Sequence, residues 1–556
     1  MRRLIALSLA GLAGMTLCTM LSADEKDGPY LMSVSFSVPR LEKWTAETVD
    51  QFHASPYDGV AVKIPDAYAR TPAPKLEDLS PAVQLIKSKA KPGRHVWPWI
   101  FLTRIIAPNP EKSHQSASKK KVDVGFKGMD LDGLGGALEE YCNVWRLALR
   151  LAREFGAPGI VFDPEAYNDY SVDSLRYLSQ TSGKPVDEVE RLLRAIGTRM
   201  ADIAAEEFPD AIIWSLFTQF QVDPDLCTMP TILFDAMLMR AREKNIPLVL
   251  VDGGETVGYA FINLDNLDRH HKLRALQVAP LMEKYGGRLV MGCTISPWAD
   301  AKERTGWMAE WPSCVNSTFK TIADFEPVFV TLMRRYRHFW IYAASAAPYD
   351  PLKPESASRY NPTLLKARAE AKRLGPLPPY EVPKLSDLAN AQPFTKDLAE
   401  DAAKWSVGGG PEASPSALPP EDGPGVRFMV NVDTNRRGEE KYPAGWLFLN
   451  RDLGDAIRGE GQPADLGEAV GLRFQIRFRQ EGKIRVGLRE KAGATTHWVS
   501  VFPKKAGEWK DVAIPIELFA LEDRRGVTRI SFYVAEGWYA HGDKLTFDIR
   551  KMAFCK

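Results

Sequence analysis

The sequence predicts an α/β domain that forms a parallel (β/α)8 barrel, followed by an all-β domain that forms an antiparallel β-sandwich of the jelly-roll type. In residues 24–375, short apolar runs alternate with amphipathic stretches eight times, which is the alternation that a parallel barrel needs. In residues 393–556, strand-like segments with period-two patterning recur with no convincing helix between them, which is typical of a sandwich.

The composition of the chain excludes several classes of protein. Its 556 residues are 45% hydrophobic and 26% charged, as in an ordinary globular protein. The 72 basic and 71 acidic side chains give a net charge of +1, with no run of five or six like charges. We therefore expect neither a nucleic-acid partner nor an anionic membrane surface.

Residues 1–23 have the layout of a secretory signal peptide. Two arginines precede an uncharged stretch, Leu4–Leu17, and Leu21-Ser22-Ala23 stands ahead of the charged residues 24–26. We therefore predict cleavage after Ala23 and a secreted or periplasmic protein with no membrane span after cleavage. An uncleaved anchor is the alternative, although the apolar stretch is short for a span of about 20 residues. A lipoprotein at Cys18 is less favoured, because a bulky leucine precedes the cysteine.

The barrel prediction depends on apolar runs and on the helical stretches between them. The clearest helices are Leu138–Phe155 and Val186–Phe208, the second of which lacks proline. A doubly wound open sheet is the rival fold, but no glycine-rich phosphate loop follows an early strand. The eight predicted strands are Leu31–Val38, Gly59–Ile64, His95–Leu102, Gly159–Phe162, Ala211–Phe217, Leu248–Val251, Arg288–Ile295 and Phe339–Ala344.

A domain boundary is predicted in or near residues 376–424, which contain ten prolines, because such a density interrupts long regular elements. We assign residues 376–392 to a linker and 393–556 to the sandwich. The predicted sandwich strands are Val426–Val432, Gly445–Asn450, Val470–Arg479, Lys483–Arg489, His497–Phe502, Asp511–Ile516, Val527–Ala535 and Lys544–Phe554.

Two acids follow the fourth predicted strand. In a parallel barrel, reactive side chains project from the C-terminal ends of the strands. Asp163 and Glu165 flank Pro164 at i and i+2, so both point to the same side if the extended conformation persists. Neighbouring carboxylates repel unless they share a proton, bind a cation or meet a substrate, and we predict that both are catalytic. The alternatives are solvated loop acids or an ion pair with an arginine.

Acids also follow the sixth predicted strand, where Asp252 and Glu255 are further catalytic candidates. An Asp-Gly turn after a buried strand is the alternative. Glycoside cleavage needs two carboxyl groups across the scissile bond, one as acid and one as nucleophile or base. Together with the predicted export, the abundant aromatic residues and the appended sandwich, the acids at two strand ends predict a glycoside hydrolase that acts on a poly- or oligosaccharide.

Residues near the remaining strand ends, or beside the acids, are substrate-binding candidates. Aromatic rings stack on the apolar face of a sugar and polar groups bind its hydroxyls, although a single tryptophan more often packs in a core. These candidates are Lys63, Trp99, Arg104, Tyr167, Asn168, Gln219, Tyr259, Trp298 and Trp340.

Other chemistries lack their motifs. The eight histidines show no HxH or HExxH spacing, and no GxSxG motif occurs. The cysteines are scattered and form no CxxC pair. We therefore expect no metal ion and no cofactor.

Two parts of the sequence resemble known families of carbohydrate-active proteins. Residues 507–515 (GEWKDVAIP), with 530–534 (ISFYV) and 547–550 (FDIR), resemble the last strands of jelly-roll carbohydrate-binding modules. The resemblance implies a fold more than a ligand, so the sandwich either binds glycan or braces the barrel.

Residues 159–165 (GIVFDPE) resemble the fourth-strand signature of chitinase-like TIM-barrel glycosidases, from which they differ at Val161 and in having Pro158 before the strand. That resemblance implies that Glu165 is the acid and that Asp163 positions a substrate acetamido group. The strand ends are also similar to those of the α-galactosidase group, which implies Asp163 as nucleophile and Asp252 as acid/base. Both assignments stay open at this point.

Two non-catalytic functions also fit the sequence. One is an exported carbohydrate-binding protein whose acids only accept hydrogen bonds from sugar hydroxyls. The other is a structural cell-envelope protein whose jelly roll mediates protein contacts, because one fold serves many functions.

Overall fold

The computed structural model of the protein describes most of the chain. The described residues are 28–65, 73–101, 134–164, 175, 178–179, 183–220, 228–258, 263–297, 321–343, 349–382, 385–409, 413–438, 444–457, 462–480, 482–490, 498–501, 505–521, 523–539 and 541–556.

The N-terminal part is built on one parallel sheet of nine strands. Its order is β7-β6-β5-β4-β3-β2-β1-β9-β8. Only Gly292 separates β7 from β8, and these two strands are the opposite edges of the sheet, so the sheet is nearly closed. The strands are β1 (Tyr30–Ser35), β2 (Gly59–Lys63), β3 (His95–Phe101), β4 (Gly159–Asp163), β5 (Ile212–Ser215), β6 (Val249–Asp252), β7 (Leu289–Met291), β8 (Cys293–Ile295) and β9 (His338–Ala343).

Helices stand between most of these strands. Pro at the start of several helices supplies a pre-set φ where no intrahelical donor is needed. The helices of this part are α1 (Ala46–Ala54), α2 (Ser80–Ser88), α3 (Leu134–Phe155), α4 (Val186–Glu207), α5 (Met229–Glu243), α6 (Glu255–Gly258), α7 (Leu264–Tyr285), α8 (Glu326–Arg335) and α9 (Asn361–Leu374).

The two faces of the parallel sheet can be told apart by their contacts. Trp214 of β5 packs on Trp97 of β3 and on His338 of β9, with ring centroids 5.8 and 5.0 Å apart, so these three side chains point into the enclosed side. Phe162 of β4 instead contacts Trp145 of α3, at 5.6 Å. Because side chains alternate along a strand and register partners share a face, these contacts assign every strand residue to the interior or to the helix layer.

The C-terminal part is a sandwich of two antiparallel five-stranded sheets. Their orders are β10-β13-β18-β15-β16 and β11-β12-β19-β14-β17. Buried apolar side chains from both sheets form the core between them. The strands are β10 (Trp405–Gly409), β11 (Ala413–Ala417), β12 (Val426–Asn431), β13 (Trp446–Asp452), β14 (Gly471–Phe478), β15 (Ile484–Glu490), β16 (Val499–Val501), β17 (Lys510–Pro515), β18 (Val527–Ala535) and β19 (Lys544–Cys555), with short helices α10 (Leu385–Asn390) and α11 (Gly454–Ile457).

The predicted order of an α/β part and then an all-β part is confirmed, and each of the sixteen predicted strands overlaps an observed one. The seventh predicted strand appears as β7 and β8. Two strands, β10 and β11, were not predicted, because they lie in the proline- and glycine-rich stretch. Both are edge strands, where Pro415 of β11 can be accommodated without losing a ladder hydrogen bond.

One helix contacts both hydrophobic cores. Leu273 and Leu276 of α7 belong to the buried cluster of the sandwich, whereas Leu267 and Val278 of the same helix belong to the cluster of the barrel-like part. The helix therefore joins the two parts through packed side chains.

In the part of the chain that the structure describes, no helix is both long and apolar enough to cross a membrane. The predicted signal peptide, residues 1–23, lies outside the described residues. Cys142, Cys293 and Cys555 are buried.

Candidate functional site

The interior side of the parallel sheet ends in a small set of side chains at the C-terminal edge. Lys63 is in register with Trp99, and Phe101 is in register with Asp163. Trp99 and Phe101 alternate with Trp97 on the enclosed side, so Lys63 and Asp163 also point inward. This is the edge at which parallel barrels carry their reactive groups.

Asp163 is the last residue of β4 and is only 1% exposed. The strand can lie close to β5 because it begins with Gly159, where a Cβ would lie 1.8 Å from the Ile212 carbonyl oxygen. A carboxylate this buried is costly unless hydrogen bonds or charges compensate for the lost water. Its burial therefore has to be compensated by contacts inside the protein or by a role in binding a substrate.

Lys63 is the basic side chain on the same face. Its Nζ donates to the carbonyl oxygen of Phe36 at 3.1 Å and lies 4.9 Å from the Phe36 ring centroid and 5.9 Å from that of Trp99. Burial lowers the pKa of Lys63 from its ordinary value, with the Arg40 charge acting in the same direction. A half-buried ammonium group beside aromatic rings can bind hydroxyl or carboxylate oxygens of a ligand.

Asp252 lies on the other face of the sheet. It is in register with Ser215, which is in register with Phe162, and Phe162 points to the helix layer. The expectation that Asp252 shares a cleft with Asp163 therefore does not agree with the register.

The contacts of Asp252 agree with this placement. Arg274 of α7 donates from Nε to its Oδ2 at 2.9 Å and also contacts it through Nη2, and the Gly254 amide donates to Oδ1 at 3.3 Å. Arg274 itself donates to the Phe220 carbonyl oxygen and the Thr218 hydroxyl, at 2.6 and 2.9 Å. Asp252 and Arg274 are 1% and 5% exposed, so they form a buried ion pair that fixes α7 to the end of β6.

Two predicted stacking platforms are packed in the core. Trp99 and Trp340 are both fully buried, and Trp340 Nε1 donates to the Gly253 carbonyl oxygen at 2.8 Å. A Cβ at Gly253 would lie 2.8 Å from Trp340 Nε1, so the glycine allows this close approach. Neither indole presents a face to a ligand in this structure, as the core-packing alternative expects for both.

The other predicted residues divide into two groups. Glu255 is a buried residue at the start of α6, and Gln219 follows β5 in a left-handed conformation with φ of 57°. The remaining candidates lie outside the described residues; these are Glu165, Arg104, Tyr167, Asn168, Tyr259 and Trp298.

Sequence reasoning missed a serine and aspartate cluster at the same edge of the sheet. The exposed Ser37 donates from Oγ to Oδ2 of Asp350, which is 1% exposed, and its Oγ also lies 2.6 Å from Ser35 Oγ. Asp350 accepts a second hydrogen bond at Oδ1 from the Leu352 amide, at 2.9 Å. The cluster joins the loops after β1 and β9, and no sequence spacing connects residues 313 positions apart.

The chemistry available at this edge is that of carboxylates, hydroxyls and an ammonium group. Within the described ranges, no group of three or more His, Cys, Asp or Glu side chains could hold a metal ion. Asp163 can accept a hydrogen bond or exchange a proton, Lys63 can donate, and the Ser37 hydroxyl is held in one orientation by Asp350.

No family model matches the chain, and no curated protein matches it. Among solved structures, a family 11 carbohydrate-binding module from Clostridium thermocellum, in complex with a β-1,3-1,4-mixed-linked tetrasaccharide, is similar at 16% identity and a TM-score of 0.22, over 29% of this chain and 94% of the module. A family 29 carbohydrate-binding module is similar at 15% identity and a TM-score of 0.18, over 29% and 91%. An exo-β-agarase is similar at 12% identity and a TM-score of 0.20, over 27% of this chain and 23% of that one. Values this low transfer no property of those proteins to this chain.

Proposed function

We propose that the protein is a secreted or periplasmic glycoside hydrolase that cleaves a poly- or oligosaccharide. The catalytic domain, residues 24–375, is a (β/α)8 TIM barrel in which β7 and β8 are one strand interrupted at Gly292. Residues 376–392 are the linker, which includes the short helix α10 that packs beside the sandwich, and residues 393–556 are an accessory jelly roll. This count of eight strands is supported by the single residue between β7 and β8 and by their pairing with β6 and β9.

One observation supports catalysis more than any other. Asp163 is an almost fully buried acid that points inward at the C-terminal end of the parallel sheet. Asp252 lies instead in the helix layer, where it forms an ion pair with Arg274. An inward-facing carboxylate at this edge has the position of a group that acts on a substrate.

In this proposal Glu165 protonates the glycosidic oxygen as the glycosidic C–O bond breaks, and Asp163 orients the substrate or stabilises the charge that develops. Water then adds its hydroxyl to the anomeric carbon and returns its proton to Glu165. The alternative with Asp252 as acid/base is less favoured, because Arg274 and the Gly254 amide occupy its oxygens on the helix side. In that case Asp252 holds α7 against the end of β6 through its ion pair with Arg274. Lys63 binds the substrate near Asp163, and no cofactor is required for acid and carboxylate catalysis of this kind.

The experiment that tests the proposal is hydrolysis of a broad panel of polysaccharides by the mature chain. We expect reducing ends to appear with at least one substrate and both Glu165→Gln and Asp163→Asn to lower kcat by at least about a hundredfold. Glu283→Gln and Asp210→Asn are matched controls at exposed positions and should keep full activity. Activity unchanged in both site variants would contradict the proposal, and glycan binding without any product from the wild type would favour the non-catalytic alternative.

A further inference from the structure

One outer face of the sandwich carries a row of aromatic and basic side chains. On the sheet β10-β13-β18-β15-β16, Phe448 is in register with Tyr533, and Tyr533 is in register with Arg485. The alternating neighbours Leu449 and Phe532 are fully buried in the core. Phe448, Tyr533 and Arg485 therefore point outward, and all three are partly exposed. We call Phe448, Trp498, Tyr533, Trp538 and Arg485 the aromatic face.

The rings of the aromatic face are in mutual contact. The Tyr533 centroid lies 5.4 Å from that of Phe448, 5.5 Å from that of Trp498 and 5.4 Å from that of Trp538. Trp498 also lies over β15, because a Cβ at Gly487 would be 2.7 Å from its ring. The glycine leaves space for the indole to lie against the strand, which extends the aromatic surface across β13, β18 and β15.

Polar groups follow in the next row of the same face. Ser531 is in register with Asn450 and donates to its side-chain oxygen at 2.7 Å. Ser531 is also in register with Gly487, beneath Trp498. Ser531 is buried and orients the partly exposed Asn450 amide. A surface that combines flat rings with an oriented amide group is suited to sugars, whose rings have apolar faces and polar edges.

Arg485 is the unusual residue of this face. Its guanidinium lies 5.2 Å from the Trp538 ring centroid and 6.0 Å from that of Tyr533. Burial lowers its pKa from the ordinary value, and among the residues that the structure describes no carboxylate forms an ion pair with it. Removing a cation from water without an anionic partner is unfavourable, so a bound anion would stabilise this arrangement.

On the opposite outer face of the sandwich, arginines are paired with carboxylates of the protein itself. There Arg427 and Arg477 both contact Asp548, at 2.7 and 2.6 Å, and Arg477 also contacts Asp422. Those guanidinium groups are satisfied within the protein, whereas Arg485 presents its charge among aromatic rings. Because Arg485 has no such carboxylate partner in the part of the chain that the structure describes, its face is the one suited to bind an external anion.

We propose that the aromatic face binds a carboxylate-bearing polysaccharide, with sugar rings packed on Tyr533 and Trp498 and a uronate carboxylate paired with Arg485. The planar fork of a guanidinium matches a carboxylate in a bidentate geometry, and a stacked ring adds to the affinity. This inference goes beyond the proposed hydrolase, because it requires binding only and no catalysis in the barrel.

Affinity gel electrophoresis of the full mature chain tests the proposal, with polygalacturonate, alginate, a sulfated galactan and a neutral β-glucan as separate probes. We expect retardation by a uronate polymer, weakened by salt, and little retardation by the sulfated or neutral polymer. Arg485→Gln and Trp498→Ala should each weaken binding at least tenfold, whereas Tyr533→Phe should keep most of it. Arg525→Gln, at an exposed loop arginine of the sandwich, is the matched control and should bind normally.

Several outcomes would overturn the proposal. They are retardation by no uronate polymer, equal retardation by the sulfated or neutral probes, or wild-type affinity in folded Arg485→Gln, with folding checked by thermal unfolding. In the last case the rings only stabilise the sheet as cross-strand pairs. Asp163→Asn and Glu165→Gln should bind like the wild type, so failure of the hydrolase proposal and failure of this one remain distinguishable.

Discussion

Asp163 and Asp252 end two strands of the same parallel sheet, and each is 1% exposed, but they lie on opposite faces. Asp163 is in register with the inward-facing Phe101, whereas Asp252 is in register with Ser215 on the helix side. If a strand ends one residue later relative to its neighbours, its last side chain points to the opposite face of the sheet. Two acids with the same sequence context therefore have different surroundings and, in our proposal, different roles.

The largest expected effect concerns the ion pair on the helix side. Asp252→Ala or Arg274→Ala should lower the free energy of unfolding by about 3–5 kcal/mol, because each leaves an uncompensated buried charge. Urea unfolding measures this, with Asp202→Ala as the control, since Asp202 pairs with Arg240 near the surface and its loss should cost at most about 1 kcal/mol. Equal losses in the Asp252 and Asp202 variants would remove the distinction between the two faces.

A second effect is the pH dependence of stability, to which one histidine on each side of the sheet contributes. Burial lowers the pKa of His271 on α7 and of His338 on the interior side to about 3, against about 6.5 in an unfolded chain. Between these values only the unfolded chain binds the proton, so the contribution of each histidine to stability falls as the pH falls from about 6.5 towards 3 and is constant above that window. Each histidine contributes up to about 1.4 kcal/mol per pH unit.

Comparison with the variants His271→Gln and His338→Gln isolates these contributions from those of the carboxylates. Unfolding free energies measured at pH 7, 6, 5 and 4 should give a shallower slope in each variant than in the wild type. An unchanged slope in one variant would mean that the histidine on that face is protonated in the folded protein.

The smallest expected effect on stability is that of Lys63→Met on the interior side. The methionine keeps the apolar contact with Phe36 and removes a charge whose pKa burial already lowers, so the free energy of unfolding should change by less than about 1 kcal/mol. In the proposed hydrolase, KM should rise about tenfold, which corresponds to about 1.4 kcal/mol of substrate binding. A large loss of stability with normal KM would instead assign Lys63 a structural role.

Sequence patterns predicted the strands well and the direction of their last side chains poorly. Apolar runs are local, and each of the sixteen predicted strands overlaps an observed one. Register is not local, because it depends on which residues of neighbouring strands pair. The buried tryptophans show the same limit, since only packing distinguishes Trp99, in the core, from a ring such as Trp498 that lies on an outer face.

Clusters from distant segments were also beyond prediction. Ser37 and Asp350 meet only because β1 and β9 are neighbours in the sheet. The aromatic face is assembled by the pairing of β13, β18, β15 and β16, and no spacing along the chain connects Phe448 with Tyr533. Arg274 follows Asp252 by 22 residues, and a helical arginine at that distance gives no signal by itself.

Helix α7 also limits how this protein can be divided or recombined. Leu273 and Leu276 are buried against the sandwich, while Arg274 between them holds the end of β6. A gene truncated after residue 392 would encode the barrel-like part with two leucines newly exposed to water, and a gene that exchanged the sandwich for an unrelated module would have to supply a matching apolar surface. Any exchange of the sandwich, in evolution or by protein engineering, therefore has to preserve the apolar contact between α7 and the domain that packs against it.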